Sequence, residues 1–511
     1  MDDVLITNGK IYTLDPARPL VDAIAFGEGR VVAFDDDARA VRGTRTFVID
    51  LKGRPVIPGL VDSHIHFTGY AMGIARVQLE GARSLDEALA RVAVRAQDAG
   101  SGEWILGMGW DHNNWIQPQY PTKHALDRVA PNNPVALDRK DGHSVWVNSA
   151  ALSAAKITRD TPDPAGGVIV RDVAGEPTGV LSEKAAWLME DVIGPAATAL
   201  GETDLSHAIQ NAHRVGLTGI HNLEGANSLR AFQDLRGRDK LTLRVTHMIP
   251  AANLDHAIGV GLKTGWGDDW LRLGGVKIFA DGSLGSQTAH MLEPFEGRPD
   301  NRGVAVTAPA EIERLARAAV GAGIMVLTHA IGDRAIRDVL DVYEKLRREA
   351  VRIPLRIEHV QHLHPDDLPR FRALDVIASM QPIHATSDYK VADQLIGPRA
   401  RYTYAFKSLL NAGATLIFGS DCPVETLDPL AGIHAAVTRE RKNGEPPGGW
   451  YPAEKLSIEE AVRAYAGSPL KQEGKADCLV LSQDIFTAPP GEILNTAVDY
   501  TIVGGNVVYA A

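Results

Sequence analysis

Between residues 217 and 419 the chain repeats one device: a short apolar run that reads as a strand, followed in most cases by a helical pattern. The runs lie at 217–222, 243–249, 273–279, 324–329, 355–360, 376–380 and 414–419, and an eighth, Val56 to Val61, precedes them. Helical spacing fills gaps at Ile312–Gly323, Ala335–Glu349 and Pro365–Leu374. Strands joined through helices pair in parallel. Eight such units are expected to close into a (β/α)8 TIM barrel.

The two ends have a different texture. Residues 1–54 read as short strands separated by turns such as Asn8-Gly9, and the last residues repeat this at Asp477–Leu481, Val498–Val503 and Asn506–Tyr509. Neither end can bury a core alone. The expectation is one small composite β-sandwich domain built from 1–54 plus 474–511, with the barrel occupying 55–473. Residues 67–216 form an α/β insertion after the first barrel strand, with helices at 84–99, 181–193 and 202–215 and strands around 104–110 and 135–147. This insertion is expected to cover the barrel mouth.

Composition narrows the function. The 511 residues carry 53 basic and 64 acidic side chains, a net charge of -11, which argues against non-specific attraction to nucleic acid or anionic lipid. Two cysteines, Cys422 and Cys478, make neither a metal finger nor a disulfide framework. No uninterrupted apolar stretch approaches the ~18 residues of a membrane span, and Met1-Asp2-Asp3-Val4 lacks a signal pattern. A cytoplasmic protein acting on a small molecule is expected, with neither nucleic acid nor membrane as partner; a homodimer is compatible.

Barrel active sites gather at the C-terminal ends of the strands. Strand one runs into Asp62-Ser63-His64-Ile65-His66, where alternation points both imidazoles to one side. Strand four carries Lys277 between apolar neighbours, strand five ends in His329, strand six in His359, and strand eight in Asp421. One histidine at a strand end is more often structural than ligating, and a lone Lys277 or Asp421 has an equally ordinary reading. Joint placement at five strand ends is what points to a divalent metal, one or two ions, with zinc the first expectation. Such a metal lowers the pKa of its water to about 7, making hydroxide a usable nucleophile, and Asp421 can take up and return the proton. Carbamylated by carbon dioxide, Lys277 would become a carboxylate able to bridge two ions. His362 and His364 follow His359 closely; His359 is preferred because it ends the apolar run, and His362 is expected to face the loop.

The pattern resembles the amidohydrolase superfamily of metal-dependent hydrolases. The match is carried by Gly59-Leu60-Val61-Asp62-Ser63-His64-Ile65-His66, by Gly419-Ser420-Asp421 and by Gly474-Lys475-Ala476-Asp477. Within it the chain is similar to the N-substituted formamide deformylase-like branch, through segments such as Gly107-Met108-Gly109-Trp110-Asp111, Asp141-Gly142-His143-Ser144 and His329-Ala330-Ile331-Gly332-Asp333. The resemblance implies a barrel with a β-sandwich, hydrolysis of C–N bonds, and metal positions at His64, His66, Lys277, His329, His359 and Asp421. It implies that Trp110, Asp111 and His143 line the substrate pocket. Asp281, which opens the glycine-rich loop 281–303, is placed with them; that loop reads equally as a lid or as an ordinary connection. His143, after a turn, is expected to polarise a substrate carbonyl.

Three functions are compatible with this pattern. The first is a metal-dependent hydrolase of amide-type, non-peptide C–N bonds, with Asp421 as general base and acid and His143 assisting. The second is a deaminase of a ring amidine, disfavoured because Ala330-Ile331-Gly332-Asp333 supplies no glutamate after His329. The third is an inactive scaffold relative, disfavoured because the ligand set is complete.

Overall fold

The computed structural model describes residues 4–511 apart from 113–114, 140–143, 165–166, 184, 198–201 and 286. The chain divides into two compact units, 1–68 with 206–511 and 69–205. Among the described residues no helix is long and apolar enough to cross a membrane.

The first unit holds an eight-stranded sheet. In order its strands are Leu60–Ile65, Leu217–Asn222, Arg244–Pro250, Leu271–Phe279, Met325–Ala330, Leu355–His359, Val376–Met380 and Thr415–Phe418, each hydrogen-bonded to its neighbour in sequence. All these pairings are parallel. The first and eighth strands meet beyond their C-terminal ends through Asp421 N–H to His64 O at 2.7 Å and His66 N–H to Cys422 O at 2.9 Å. The sheet therefore curls into a nearly closed barrel. The helix Asp333–Arg348 shows why the crossovers form: Ile336, Val339, Leu340, Tyr343 and Leu346 recur at helical spacing and are buried, while Lys345, Arg347 and Arg348 sit in its last turn. The helix Ile458–Tyr465 starts with a capping box between Ser457 and Glu460.

The run Val56–Val61, read as one strand, is two. Pro55–Pro58 pairs with Lys10–Tyr12 and antiparallel with Cys478–Leu481. The barrel strand begins only at Leu60. The break falls at Gly59, where a Cβ would stand 2.3 Å from Thr218 Oγ1; only glycine allows the chain to pass this close.

Both ends of the chain share a six-stranded sheet, ordered Asn506–Ala510, Val498–Val503, Cys478–Leu481, Pro55–Pro58, Lys10–Tyr12 and Leu20–Val21. A four-stranded sheet orders Arg30–Phe34, Ile24–Gly27, Val4–Thr7 and Phe47–Asp50. One buried cluster draws Ile6, Phe26 and Ile49 from the smaller sheet and Ile11, Val56, Val480 and Ile502 from the larger. Each such side chain contributes about 1.5–3 kcal/mol on burial.

The second unit contains a six-stranded sheet, ordered Gly167–Arg171, Pro177–Glu183, Ser144–Val147, Val135–Arg139, Ile105–Trp110 and Val77–Gln78, with the helix Leu85–Asp98. The helix expected over 181–193 is displaced. Pro177–Glu183 is a strand antiparallel to Ser144–Val147, and the helix runs Trp187–Ala197. A short apolar run such as Val180-Leu181 fits either structure, and pairing with a distant strand decides it.

Candidate metal centre

Five of the strand ends deliver polar side chains to one cavity of about 380 Å3, lined among others by His64, His66, Lys277, His329, His359 and Asp421. Nε2 of His64 and of His66 lie 3.5 and 3.4 Å from the same oxygen, Oδ1 of Asp421. Lys277 Nζ is 3.5 Å from His64 Nε2. The His359 ring stands 4.7 Å from that of His64 and 4.6 Å from that of His329, centre to centre. His64, His66 and Asp421 each offer a ligand atom within 4.8 Å of the others. Two of these residues sit in left-handed backbone, His359 at φ 71° and Asp421 at φ 58°. Such conformations cost of order 1–3 kcal/mol each and persist where the surroundings impose them.

The outer nitrogens of the rings are engaged. His64 donates from Nδ1 to Glu358 Oε2 at 2.6 Å, and His359 from Nδ1 to Gln381 Oε1 at 2.8 Å, leaving both Nε2 lone pairs facing inward. His329 donates from Nε2 to Gly282 O at 3.1 Å, which frees its Nδ1. Glu358 is paired in turn with Arg356, and Arg356 Nη2 also donates to Ser379 Oγ at 2.9 Å. Asp62 joins strand one to the loop after strand eight: its carboxylate accepts His64 N–H and Ser420 N–H, both at 3.0 Å, and Ser420 Oγ–H at 2.5 Å.

Electrostatics match this geometry. Burial, then the neighbouring Lys277, hold the His64 imidazolium well below its ordinary range and bring His329 to about 4. Burial, then His329, do the same for His359. These rings are neutral, the form that ligates metal. Burial alone would raise the Asp421 carboxyl, but His64, His66 and His384 around it outweigh burial and keep it ionised. Burial pulls the Lys277 ammonium down to about 8 against the pull of Glu358 and Asp421. Neutral imidazoles with oriented outer nitrogens, beside an ionised carboxylate, are a donor set that fits a divalent cation.

Residues not anticipated from sequence complete the site. Arg356 and Glu358 alternate with Leu355 and Ile357 in strand six; two charges at i and i+2 in an apolar strand were the available signal. His384 lines the cavity 4.0 Å from Asp421 Oδ2, and its Nε2 is buried without a partner among the described residues. It follows strand seven by four residues, so extending the strand-end search would have reached both it and Gln381.

His362, Asp281, Trp110 and Asp111 each have partners of their own. His362 donates to or accepts from Thr403 Oγ1 at 2.8 Å and lines a separate cavity with Asp333 and Tyr402, leaving His359 as the residue at the cluster. The Asp281 side chain is fully buried; its carboxylate accepts N–H groups of His290, Ile331 and Gly332 at 2.8–3.0 Å, so it anchors the loop rather than facing the cavity. Trp110 is 0% exposed in the core of the second unit and donates to Leu137 O at 2.7 Å. Asp111 lies in the same unit, 3.5 Å from Arg139 Nη2. His143 lies outside the described residues.

A nearly closed parallel barrel with this histidine, lysine and aspartate cluster at its strand ends is the architecture of metal-dependent barrel hydrolases. The sequence profile of the Amidohydrolase family matches residues 47–509, and the chain belongs to that family. It is 34% identical to the putative amidohydrolase YtcJ of Bacillus subtilis, with 98% of each chain covered. It is 28% identical to the N-substituted formamide deformylase of Arthrobacter pascens, over 100% of this chain and 98% of that one. A solved structure of an uncharacterized metal-dependent hydrolase from Pyrococcus furiosus superimposes with a TM-score of 0.76 at 28% identity, covering 95% of this chain and 100% of that one.

Proposed function

We propose that this protein hydrolyses an amide-type, non-peptide C–N bond of a small molecule, using a divalent metal for which zinc is the first candidate. The observation that carries this reading is the approach of two imidazole nitrogens to one oxygen of Asp421, at 3.5 and 3.4 Å, with the outer nitrogen of His64 already bound to Glu358. Similarity to a formamide deformylase along nearly its whole length supports the same reaction type. His64, His66 and Asp421 would hold the metal, with His329, His359 and Lys277 completing the set. When bound, the metal supplies Lewis acidity toward a carbonyl and lowers the pKa of a water to about 7.

The remaining chemistry belongs to the side chains. Asp421, ionised and facing the cavity, takes a proton at its carboxylate and returns it to the leaving nitrogen. His384, with its buried Nε2 unpartnered among the described residues, is set to hydrogen-bond the carbonyl oxygen as charge develops there. Burial brings Lys277 to about 8, which gives a usable fraction of free amine for reaction with carbon dioxide; carboxylated, it would bridge two ions.

The test is a screen of N-formyl, N-acyl and cyclic amides on metal-reconstituted protein. Hydrolysis is expected, lost on chelation and restored by metal. Asp421→Asn should lower turnover by about 10²–10⁴ while metal stays largely bound. Activity unaffected by chelation would end the proposal, and ammonia release from ring amidines would establish a deaminase instead.

A further inference from the structure

At the N-terminal ends of the barrel strands, away from the cluster described above, lies a second cavity of about 480 Å3 in the same unit. That size falls among small-molecule sites, about 300–1,000 Å3. Its walls carry five cations, Arg30, Arg244, Arg272, Lys471 and Lys475, facing two carboxylates, Glu473 and Asp477. Arg244 is neutralised: Nε and Nη2 donate to the two Asp477 oxygens at 2.6 and 2.9 Å. Arg30 pairs with Asp269 at 2.6 Å, and Lys475 lies 3.6 Å from the same carboxylate. Arg272, Lys471 and Glu473 have no ion-pair partner among the described residues; Arg272 Nε donates to Thr246 Oγ1 at 3.1 Å. In a chain of net charge -11 this is a local reversal of sign. The reversal is felt by Lys475, which burial, then Arg244 and Arg272, hold below the ordinary lysine value.

We infer that this cavity binds a small organic anion bearing a phosphate group, with Arg272 and Lys471 as its charge partners. A phosphate monoester carries close to two negative charges at neutral pH, which balances the five cations against the three carboxylates Glu473, Asp477 and Asp269. The planar guanidinium of Arg272 suits bidentate contact with such an oxyanion, and Thr246 and Ser468 bring hydroxyls to the same walls. The competing reading is a hydrated set of ion pairs that merely stabilises the barrel floor.

Isothermal titration of the full-length protein with inorganic phosphate and with glycerol 3-phosphate, at constant ionic strength, tests it. Saturable binding is expected, weakened about tenfold or more in Arg272→Ala/Lys471→Ala. Phosphate held at the candidate metal centre would persist in both proteins, so the difference reads the cavity. Tighter binding of the ester assigns an organic ligand; equal binding overturns that assignment in favour of the free ion. No saturable component, or identical titrations of wild type and variant, overturns the site. Thermal unfolding without phosphate checks the fold of the variant. Should it be lost, Arg272→Gln/Lys471→Gln carries the same comparison with less change of shape.

Discussion

Glu358 Oε2 lies 2.6 Å from Nδ1 of His64, and neither side chain is more than 1% exposed. That contact fixes which nitrogen of His64 carries the proton and which faces the cavity. Glu358 also faces Arg356, itself 1% exposed. A single carboxylate thus orients a candidate ligand and neutralises a buried cation.

Replacing Glu358 with Gln should therefore have two effects. Metal affinity is expected to fall about 10–100-fold, as when outer partners of ligating histidines are removed. Stability should fall by about 3–5 kcal/mol, because Arg356 is left as an unpaired buried charge. Competition with a chromogenic chelator reads the first and urea denaturation the second. Unchanged affinity in a folded variant would show that His64 does not depend on Glu358.

Lys277→Met keeps an unbranched side chain as far as Cε and removes the nitrogen. If a carboxylated Lys277 bridges two ions, elemental analysis should show metal content dropping toward one ion per chain. An unaltered stoichiometry would rule out the bridge.

His213 predicts a pH dependence. It is buried, with Nδ1 bonded to Leu217 O at 3.0 Å and Nε2 to Thr242 Oγ1 at 2.9 Å, and burial lowers it from 6.5 to about 4. The unfolded chain therefore binds a proton that the folded one refuses between those values. Its contribution is complete above pH 6.5 and lost as pH falls toward 4, amounting to about 3 kcal/mol. His213→Asn should be less stable than wild type near pH 7.5 yet lose less on acidification, measured by denaturant midpoints across that window. Parallel pH profiles for the two proteins would contradict this.

Gly59→Ala should destabilise by about 1–3 kcal/mol through overpacking against Thr218, since the new methyl would fall 2.3 Å from Oγ1 and 2.6 Å from Cγ2. Urea unfolding measures it, and Thr218→Gly in the same chain should recover part of the loss. Wild-type stability in the single variant would mean the junction can widen.

The fold was legible where it depends on period. The strands that carry His329, His359 and Met380 follow from apolar runs bounded by turns, and the barrel follows from their alternation with helices. Legibility failed where structure depends on a distant partner. The split at Gly59 is set by Thr218, and Pro177–Glu183 is a strand because Ser144–Val147 lies beside it. The same holds for the site. His64, Lys277, His329, His359 and Asp421 were readable as polar residues at strand ends. Asp281 has equal polarity and a similar position, yet three backbone N–H groups take up its carboxylate. Trp110 donates from its indole to Leu137 O within the core of the second unit, a partner 27 residues away that no local pattern announces.

The backbone bonds between His64 and Asp421 and between His66 and Cys422 carry a consequence for how the protein comes into being. The ring of strands and the cluster of donors are completed by the same few atoms. On a growing chain both histidines emerge hundreds of residues ahead of the aspartate. Until the eighth strand docks there is neither a finished cylinder nor a carboxylate at position 421 to complete the donor set, so a truncated or half-made chain holds its histidines without the group assigned to move the proton.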